Sequence, residues 1–111
     1  MTDTYVLAID QGTTATKSLL INLKNPLKPE VICQSSASVA SRYPKSGWVE
    51  HDLKDIWKSV VASLKSTLKK ANDKIPKFNI KQIHSIGLTN QRETLCLFDP
   101  KSKEPSGIGI S

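Results

Sequence analysis

Aromatic residues are scarce in this sequence: Trp, Tyr and Phe together make up 5% of its 111 residues. The core must therefore be built from Val, Ile, Leu and Ala, which occur in short blocks such as YVLAI, SLLINL and VVASL. None of these blocks is long enough to span a bilayer, and Met1 to Thr4 carries no positive side chain of the kind that opens a signal peptide. We expect one compact cytoplasmic domain, with no membrane partner and no room for a second domain.

Cysteine is also rare. Cys33 and Cys96 each stand alone in an apolar stretch, without a second Cys or a spaced His to complete a zinc pattern. We expect two buried, reduced thiols, and the alternative is a disulfide or a redox role. The sequence also lacks a G-x-x-x-x-G-K-[ST] motif, which excludes a P-loop.

Acidic residues and arginines are few. Ten Asp plus Glu stand against 16 Lys plus Arg, giving a formal net charge of +6, and only Arg42 and Arg92 are arginines. A basic chain can bind nucleic acid. Between Lys54 and Lys81, however, the lysines alternate with apolar residues at helical spacing. This pattern is typical of the solvent face of a helix, and we favour that interpretation over a nucleic-acid partner.

Three strands are predicted before any helix. Tyr5 to Ile9 is a continuous apolar run, typical of a central strand covered on both faces. Thr16 to Leu23 follows Gly12 closely enough to return antiparallel as a hairpin, and Asn25 with the following proline ends it. Glu30 to Val39 has the alternating character of a third strand.

One helix is predicted next, because apolar residues recur every three or four positions and form one stripe. The members of this stripe are Leu53, Ile56, Trp57, Val60, Leu64, Leu68 and Ala71. Asp52 is the predicted N-cap, Asp55 adds negative charge to the first turn, and Pro76 prevents further extension. Gln82 to Thr89 is then predicted as a buried strand, parallel to the first through a crossover, and Thr94 to Phe98 as its successor.

The first motif that could carry chemistry, DQGTT, ends the first strand. Gly12 lets the backbone come close to a ligand, and Thr13 and Thr14 offer N–H and hydroxyl donors. Lys17 adds positive charge for phosphate oxygens, and Asp10 would face a Mg²⁺ ion through water. The alternative is a plain hairpin turn with no ligand.

The second motif, YPKSGWVEHD, leads the chain to the helix. We interpret it as a capping segment with a buried Trp48. A metal site made of Glu50, His51 and Asp52 is disfavoured, because consecutive side chains cannot all turn toward one ion on a regular backbone.

The third motif, TNQRET, follows the fourth strand. Arg92 and Glu93 are adjacent, so in a regular strand their side chains would leave opposite faces, and they can converge only on a loop or bulge. If they converge, the guanidinium can donate to the hydroxyl oxygens of a small polyol while the carboxylate accepts its hydroxyl protons. The alternative is an exposed pair of little energetic importance.

Taken together, DQGTT, YPKSGWVEHD and IGLTNQRET resemble, in order and separation, the start of glycerol kinases in the FGGY carbohydrate kinase family. The resemblance runs from about Tyr5 to Phe98. It implies an α/β fold, the ribonuclease-H-like ATPase domain of the actin and hexokinase type. The domain would be incomplete here, with three antiparallel strands, one helix and further strands, and the second domain would be absent.

The resemblance also implies ATP-dependent phosphorylation of glycerol at its 3-hydroxyl, with Mg²⁺. In such enzymes the residues that match Thr13, Thr14, Ala15 and Lys17 lie at the nucleotide phosphates. The residue that matches Asp10 lies at the metal, and those that match Arg92 and Glu93 lie at glycerol. The position of Lys17 is usually arginine in the family. Lysine keeps the charge and loses the two-pronged geometry.

Two further expectations concern the end of the chain. The family's catalytic base is an aspartate far downstream of Ser111, so we expect no catalytic residue in residues 1–111 and no activity from them alone. Residues 104–111 are expected to be a divergent tail, since the family normally continues into a strand ending in tryptophan and aspartate. The alternative function is a non-catalytic fragment that binds nucleotide weakly, self-associates, or associates with a full-length kinase through an exposed sheet edge.

Overall fold

The computed structural model describes residues 3–91 and 94–110 of the chain. Its elements, in chain order, are β1 (Tyr5–Gln11), β2 (Ala15–Asn22), β3 (Glu30–Ser38), β4 (Glu50–Asp52), α1 (Leu53–Lys74), a single 3₁₀ turn (Ile80–Gln82), β5 (Ile83–Thr89), β6 (Leu95–Phe98) and β7 (Pro105–Ile110). All five predicted strands and the predicted helix are present. The two short elements β4 and the 3₁₀ turn, and the strand β7, were not predicted.

The main sheet has the strand order β3-β2-β1-β5. β1 and β2 form an antiparallel hairpin whose last pair is Gln11 with Thr16, and β3 continues the antiparallel pattern. β5 pairs with β1 in parallel, from Val6 opposite Ser85 to Asp10 opposite Thr89. The predicted crossover and the central place of β1 are therefore confirmed. Because β1 and β5 run in the same direction, their carboxyl ends lie at the same end of the sheet.

The helix packs on the sheet through hydroxyl groups. Its buried residues recur every four positions: Ser59, Ser63, Thr67 and Ala71. The Ser18 hydroxyl on β2 donates to the Ser63 carbonyl at 2.8 Å and lies 2.7 Å from the Thr67 hydroxyl. The Thr16 hydroxyl lies 2.6 Å from that of Ser59. Each of these buried hydroxyls is thus hydrogen-bonded, as burial requires.

The predicted apolar stripe of α1 is only partly buried, and a row of hydroxyl-bearing residues lies against the sheet instead. Of its seven residues, all of them described, Ala71 is the buried one, and Trp57 is 66% exposed. The helix lies over β2 and β3, and Leu68 of the stripe lines a cavity together with Ile83 and Ile86 of β5. The prediction that β5 is buried is wrong, because β5 is an edge strand of this sheet and the helix lies over β2 and β3. Its Ile86 and Leu88 are 62% and 68% exposed.

The apolar core is small. Tyr5, Leu7, Leu20 and Ala71 form its buried cluster. Phe78 packs against the cluster, and its ring meets that of Tyr5 edge to face with the centroids 5.7 Å apart. The core therefore lies between the amino-terminal half of β1 and the last turns of α1, at the end of the sheet away from the β1–β2 loop.

A second sheet has the order β4-β7-β6, with β7 antiparallel to both neighbours. Its central strand comes from the tail, so Pro105–Ile110, expected to diverge, is a paired strand. β4 leads into the helix, where Asp52 Oδ1 accepts a hydrogen bond from the backbone N–H of Lys54 at 2.9 Å, which confirms the predicted N-cap. The predicted burial of Trp48 is wrong, because its loop lies on the surface: the side chain is 53% exposed and Lys45 Nζ lies 4.8 Å from its ring centroid.

Both cysteines are free, but only one is shielded. Cys33 is half-buried, and its Sγ donates to the Thr67 carbonyl at 3.4 Å. Burial raises the pKa of the Cys33 thiol, with a smaller opposing effect from Lys74 and Lys70. Cys96 is exposed, so the prediction that it is buried is wrong; its strand β6 forms an edge of the second sheet. No helix in residues 3–91 and 94–110 is both long and apolar enough to cross a membrane.

The two thiols should therefore react at different rates. Because the thiolate is the nucleophile, the raised pKa and partial burial of Cys33 both slow its alkylation. We expect Cys96 to be alkylated by iodoacetamide about tenfold faster than Cys33 at about pH 8. Peptide mass spectrometry after short pulses measures the two rates, with urea-unfolded protein as the control in which the rates should converge. Equal rates in the folded protein would contradict this description of the two environments.

Candidate functional site

The DQGTT motif forms the tip of the β1–β2 hairpin. The Gly12 N–H donates to the Ala15 carbonyl at 2.9 Å, which leaves Thr13 and Thr14 as the exposed residues at the tip. The Thr14 carbonyl accepts from the Val39 N–H at 2.8 Å, so the residue after β3 braces the loop from one side. The motif is thus a hairpin turn, and its two threonines are open to a ligand.

Gly12 leaves little space for a side chain. A Cβ at this position would lie 3.1 Å from the Ala15 carbonyl oxygen, the same oxygen that accepts the Gly12 hydrogen bond. Ala15 cannot move away from a side chain at position 12 without lengthening that bond. A side chain at position 12 would therefore force the Ala15 carbonyl to shift by a few tenths of an ångström.

Gly12→Ala should destabilise the hairpin by about 1 kcal/mol, because the crowding outweighs the smaller entropy of the unfolded alanine chain. Gly87→Ala is the matched control. A Cβ on Gly87, in β5, would meet nothing within 4 Å, so there we expect no loss or a small gain in stability. Urea unfolding of both variants gives the comparison. Equal effects from the two substitutions would show that crowding at Gly12 is unimportant.

Asp10 and Lys17 lie side by side behind the tip. Asp10 is opposite Lys17 on β2 and opposite Thr89 on β5. The neighbours of Asp10 along β1 are buried under the helix, so by strand alternation Asp10 and Lys17 point to the other face of the sheet, where both are exposed. The Thr89 hydroxyl donates to Asp10 Oδ1 at 3.0 Å, which leaves the second carboxylate oxygen for another partner.

The segment after β5 is tied to the same loop. Gln91 Nε2 donates to the Gly12 carbonyl at 3.1 Å, and Gln91 Oε1 accepts a hydrogen bond from the Thr94 hydroxyl. The predicted polyol ligands Arg92 and Glu93 lie outside the described residues. Their neighbours on both sides are nevertheless part of a network that reaches Gly12. The DQGTT and NQRET motifs, 79 residues apart at Gly12 and Gln91, therefore meet at one end of the sheet.

A small cavity opens beside this junction, with a volume of about 190 Å³. Its lining comes from β1, the first turn of α1, the segment after β5, and β6: Gln11, Leu53, Ile56, Asn90, Gln91, Thr94 and Cys96. Sequence reasoning assigned no role to Gln11, Thr89 or Gln91, which organise the junction. Their position inside the two motifs was the available signal, but the hydrogen bonds depend on strand register.

The residues present fit a water-mediated magnesium ion better than a closed metal cage. Among the described residues, no three His, Cys, Asp or Glu side chains cluster closely enough to hold a metal ion. Mg²⁺ retains several waters and binds through one or two carboxylates together with substrate phosphates. A single exposed carboxylate at Asp10, next to the threonine tip, suits that mode of binding.

Comparison with known proteins identifies the family of this chain. The family model for the N-terminal domain of the FGGY family of carbohydrate kinases matches residues 5–108. The chain belongs to the FGGY family. Its mixed sheet and crossing helix are the ribonuclease-H-like architecture that the resemblance implied, and the match extends from the start of β1 into β7.

Curated relatives of this FGGY chain include several glycerol kinases. The enzyme of Chelativorans sp. (strain BNC1) is 43% identical over 101 residues, which are 91% of this chain and 18% of that protein. The enzyme of Oceanobacillus iheyensis is 38% identical over 105 residues, which are 95% of this chain and 19% of that protein. The chain thus spans about one fifth of the length of the curated relatives it matches.

Solved structures give the same architecture. A crystal structure of Plasmodium falciparum glycerol kinase with ADP superposes with a TM-score of 0.82 at 27% identity, covering 97% of this chain and 20% of that one. Gluconate kinase from Lactobacillus acidophilus superposes with a TM-score of 0.77 at 23% identity, over 99% of this chain and 20% of its own. The second similarity is one of fold alone.

Proposed function

We propose that this chain provides the phosphate-binding loop and one side of the glycerol site of an ATP-dependent glycerol kinase. The observation that carries the proposal is the junction of Asp10 and Gly12 with Thr89 and Gln91, through hydrogen bonds of 3.0 and 3.1 Å. This junction brings the DQGTT motif next to the TNQRET motif, to which the resemblance assigns the glycerol ligands. The two curated relatives described above, both named glycerol kinases, support the choice of substrate.

The nucleotide side of the site is the hairpin tip. The N–H groups and hydroxyls of Thr13 and Thr14, with the backbone of Ala15, would donate to phosphate oxygens, and the Lys17 ammonium would offset their charge. Asp10 would hold Mg²⁺ through water. When bound, the ion neutralises charge on the phosphate groups.

The polyol side rests on the resemblance. Arg92 would donate to the glycerol hydroxyl oxygens and Glu93 would accept hydroxyl protons, which orients the triol with one hydroxyl toward the phosphates. Transfer further needs a base to hold the attacking hydroxyl, which the family places beyond residue 111. We therefore expect no turnover from the isolated 111 residues. An ATP-dependent release of glycerol 3-phosphate above a no-protein control would contradict this.

Titration with Mg·ADP tests the nucleotide half of the proposal. We expect weak binding, seen by NMR as shifts of the amide signals of residues 12–17, with the loop at Leu27 unaffected because it lies at the far end of β2. Omitting Mg²⁺ should weaken the binding. Shifts spread evenly over the chain, or none at millimolar nucleotide, would contradict a phosphate site at the hairpin.

A second candidate function is association with a full-length kinase or with itself. The supporting observation is the open edge of β5, which carries the exposed Ile86 and Leu88. Ile86→Lys should then abolish co-sedimentation with a full-length glycerol kinase, whereas Leu27→Lys, on a residue that is 92% exposed in the β2–β3 connection, should not. Retained co-sedimentation of the Ile86 variant would exclude this edge. A cytoplasmic location stays a prediction.

A further inference from the structure

The two halves of the candidate site share one glutamine. Gln91 Nε2 holds the Gly12 carbonyl at 3.1 Å, and Gln91 Oε1 accepts from the Thr94 hydroxyl. In sequence, Gln91 stands directly before Arg92, and Thr94 directly after Glu93. The hydrogen bonds of Gln91 therefore connect the phosphate loop to the segment that carries the predicted polyol ligands.

The direction of the Gly12 carbonyl determines the direction of the Thr13 N–H in the loop. The carbonyl forms one rigid peptide plane with the N–H of Thr13, so fixing the direction of the carbonyl also fixes the direction of that N–H. The carbonyl accepts two side-chain amides, from Gln11 at 2.8 Å and from Gln91 at 3.1 Å, which together use both lone pairs. Because these amides hold the carbonyl, the Thr13 N–H is held on the opposite side of the plane.

We propose that Gln91 is a positioning residue that orients the Thr13 N–H for phosphate and makes this orientation depend on the segment after β5. The inference rests on the proposed function, because it takes the hairpin tip as the phosphate site. Gln11 cannot make the loop depend on the segment after β5, since it is the chain neighbour of Gly12 and its hydrogen bond is local. Gln91 reaches Gly12 from the segment after β5, 79 residues along the chain.

Two variants of the full 111-residue chain distinguish the two hydrogen bonds of the Gln91 side chain, to the Gly12 carbonyl and from the Thr94 hydroxyl. Gln91→Leu removes both bonds. Gln91→Glu keeps the side-chain length and an acceptor for Thr94, but an ionised carboxylate has no proton to donate to Gly12. If donation to Gly12 sets the loop, both variants should loosen it.

Loop order is measured without ligand. The Gly12 N–H donates to the Ala15 carbonyl at 2.9 Å, and the Val39 N–H donates to the Thr14 carbonyl at 2.8 Å. We expect both Gln91 variants to increase the hydrogen-exchange rates of these two amides about fivefold. The Gly12 carbonyl ¹³C signal should move as well. The Leu23 amide, bonded to the Thr4 carbonyl at 2.8 Å at the other end of the sheet, is the control and should keep its rate.

A double-mutant cycle tests the dependence on the segment after β5. Thr94→Val removes the hydroxyl that donates to Gln91, and we expect a smaller acceleration at Gly12 that disappears in the Gln91→Leu background. Additive effects would mean that Thr94 acts on the loop by another route and would overturn that part of the proposal.

The remaining outcomes distinguish this inference from the proposed function. Unchanged exchange at Gly12 and Val39 in Gln91→Leu, or acceleration at Leu23 to the same extent, would overturn the positioning role. If the wild-type chain fails to bind Mg·ADP, the proposed function fails, while the exchange result still decides the role of Gln91. If the wild type binds, Gln91→Leu should bind about fivefold more weakly, and an unchanged affinity would also overturn the inference.

Discussion

Leu20→Ala is expected to lower the free energy of unfolding by about 3 kcal/mol, within the range for a fully buried leucine. Leu20 is 0% exposed and belongs to a buried apolar cluster with Tyr5, Leu7 and Ala71. A domain of this size has a total stability of roughly 5–15 kcal/mol, which makes the loss a large fraction of it.

Urea unfolding followed by far-ultraviolet circular dichroism measures this loss, as a decrease of the midpoint by roughly 1–2 M. The matched control is Leu27→Ala, the same chemical change at a residue that is 92% exposed. We expect it to alter stability by less than about 0.5 kcal/mol. Similar midpoints for the two variants would mean that Leu20 does not lie in the main core.

The strand order of this fold could be predicted because it follows from features of short sequence segments. The apolar run from Tyr5, the short turn at Gly12 and the helix between two apolar strands together imply a hairpin followed by a parallel crossover. The N-cap at Asp52 was predictable for the same reason, since it needs only the backbone of the next two residues.

The packing of the helix could not be predicted by the rule that apolar residues face the core. Ser59, Ser63 and Thr67 are buried because strand β2 beneath them carries hydroxyls at the matching places, Thr16 and Ser18. A helical hydroxyl row is favourable only when each member finds a partner, and the partners are more than 40 residues away in sequence. The sequence shows the serines, whereas only the fold shows the pairs.

The candidate site was predictable in part. Motif reading placed Asp10, Thr13 and Thr14 at one strand end, and the parallel register of β1 and β5 places Thr89 and Gln91 beside them. The roles of Thr89 and Gln91 were out of reach, because a side-chain hydrogen bond across strands depends on register to within one residue.

Lys17→Glu should weaken the binding of Mg·ADP by about tenfold or more, because the change replaces a favourable charge near the phosphates with a repulsive one. Lys17 lies on β2 opposite Asp10, three residues after Thr14 at the hairpin tip, and is exposed. Isothermal titration calorimetry or the NMR titration gives the affinity. The difference between variant and wild type should shrink as salt is added, since the interaction is partly screened.

Lys24→Glu separates the local charge from the charge of the whole chain. Lys24 follows the end of β2, seven residues beyond Lys17, which corresponds to about 23 Å along an extended strand and exceeds the screening length of about 10 Å at moderate salt. Both variants change the net charge equally, so Lys24→Glu should bind nucleotide nearly as the wild type does. Lys17→Arg should bind at least as tightly, because the guanidinium adds two-pronged geometry. Equal losses from Lys17→Glu and Lys24→Glu would mean that nucleotide responds only to the basic charge of the chain, and the phosphate site at the hairpin tip would then have to be abandoned.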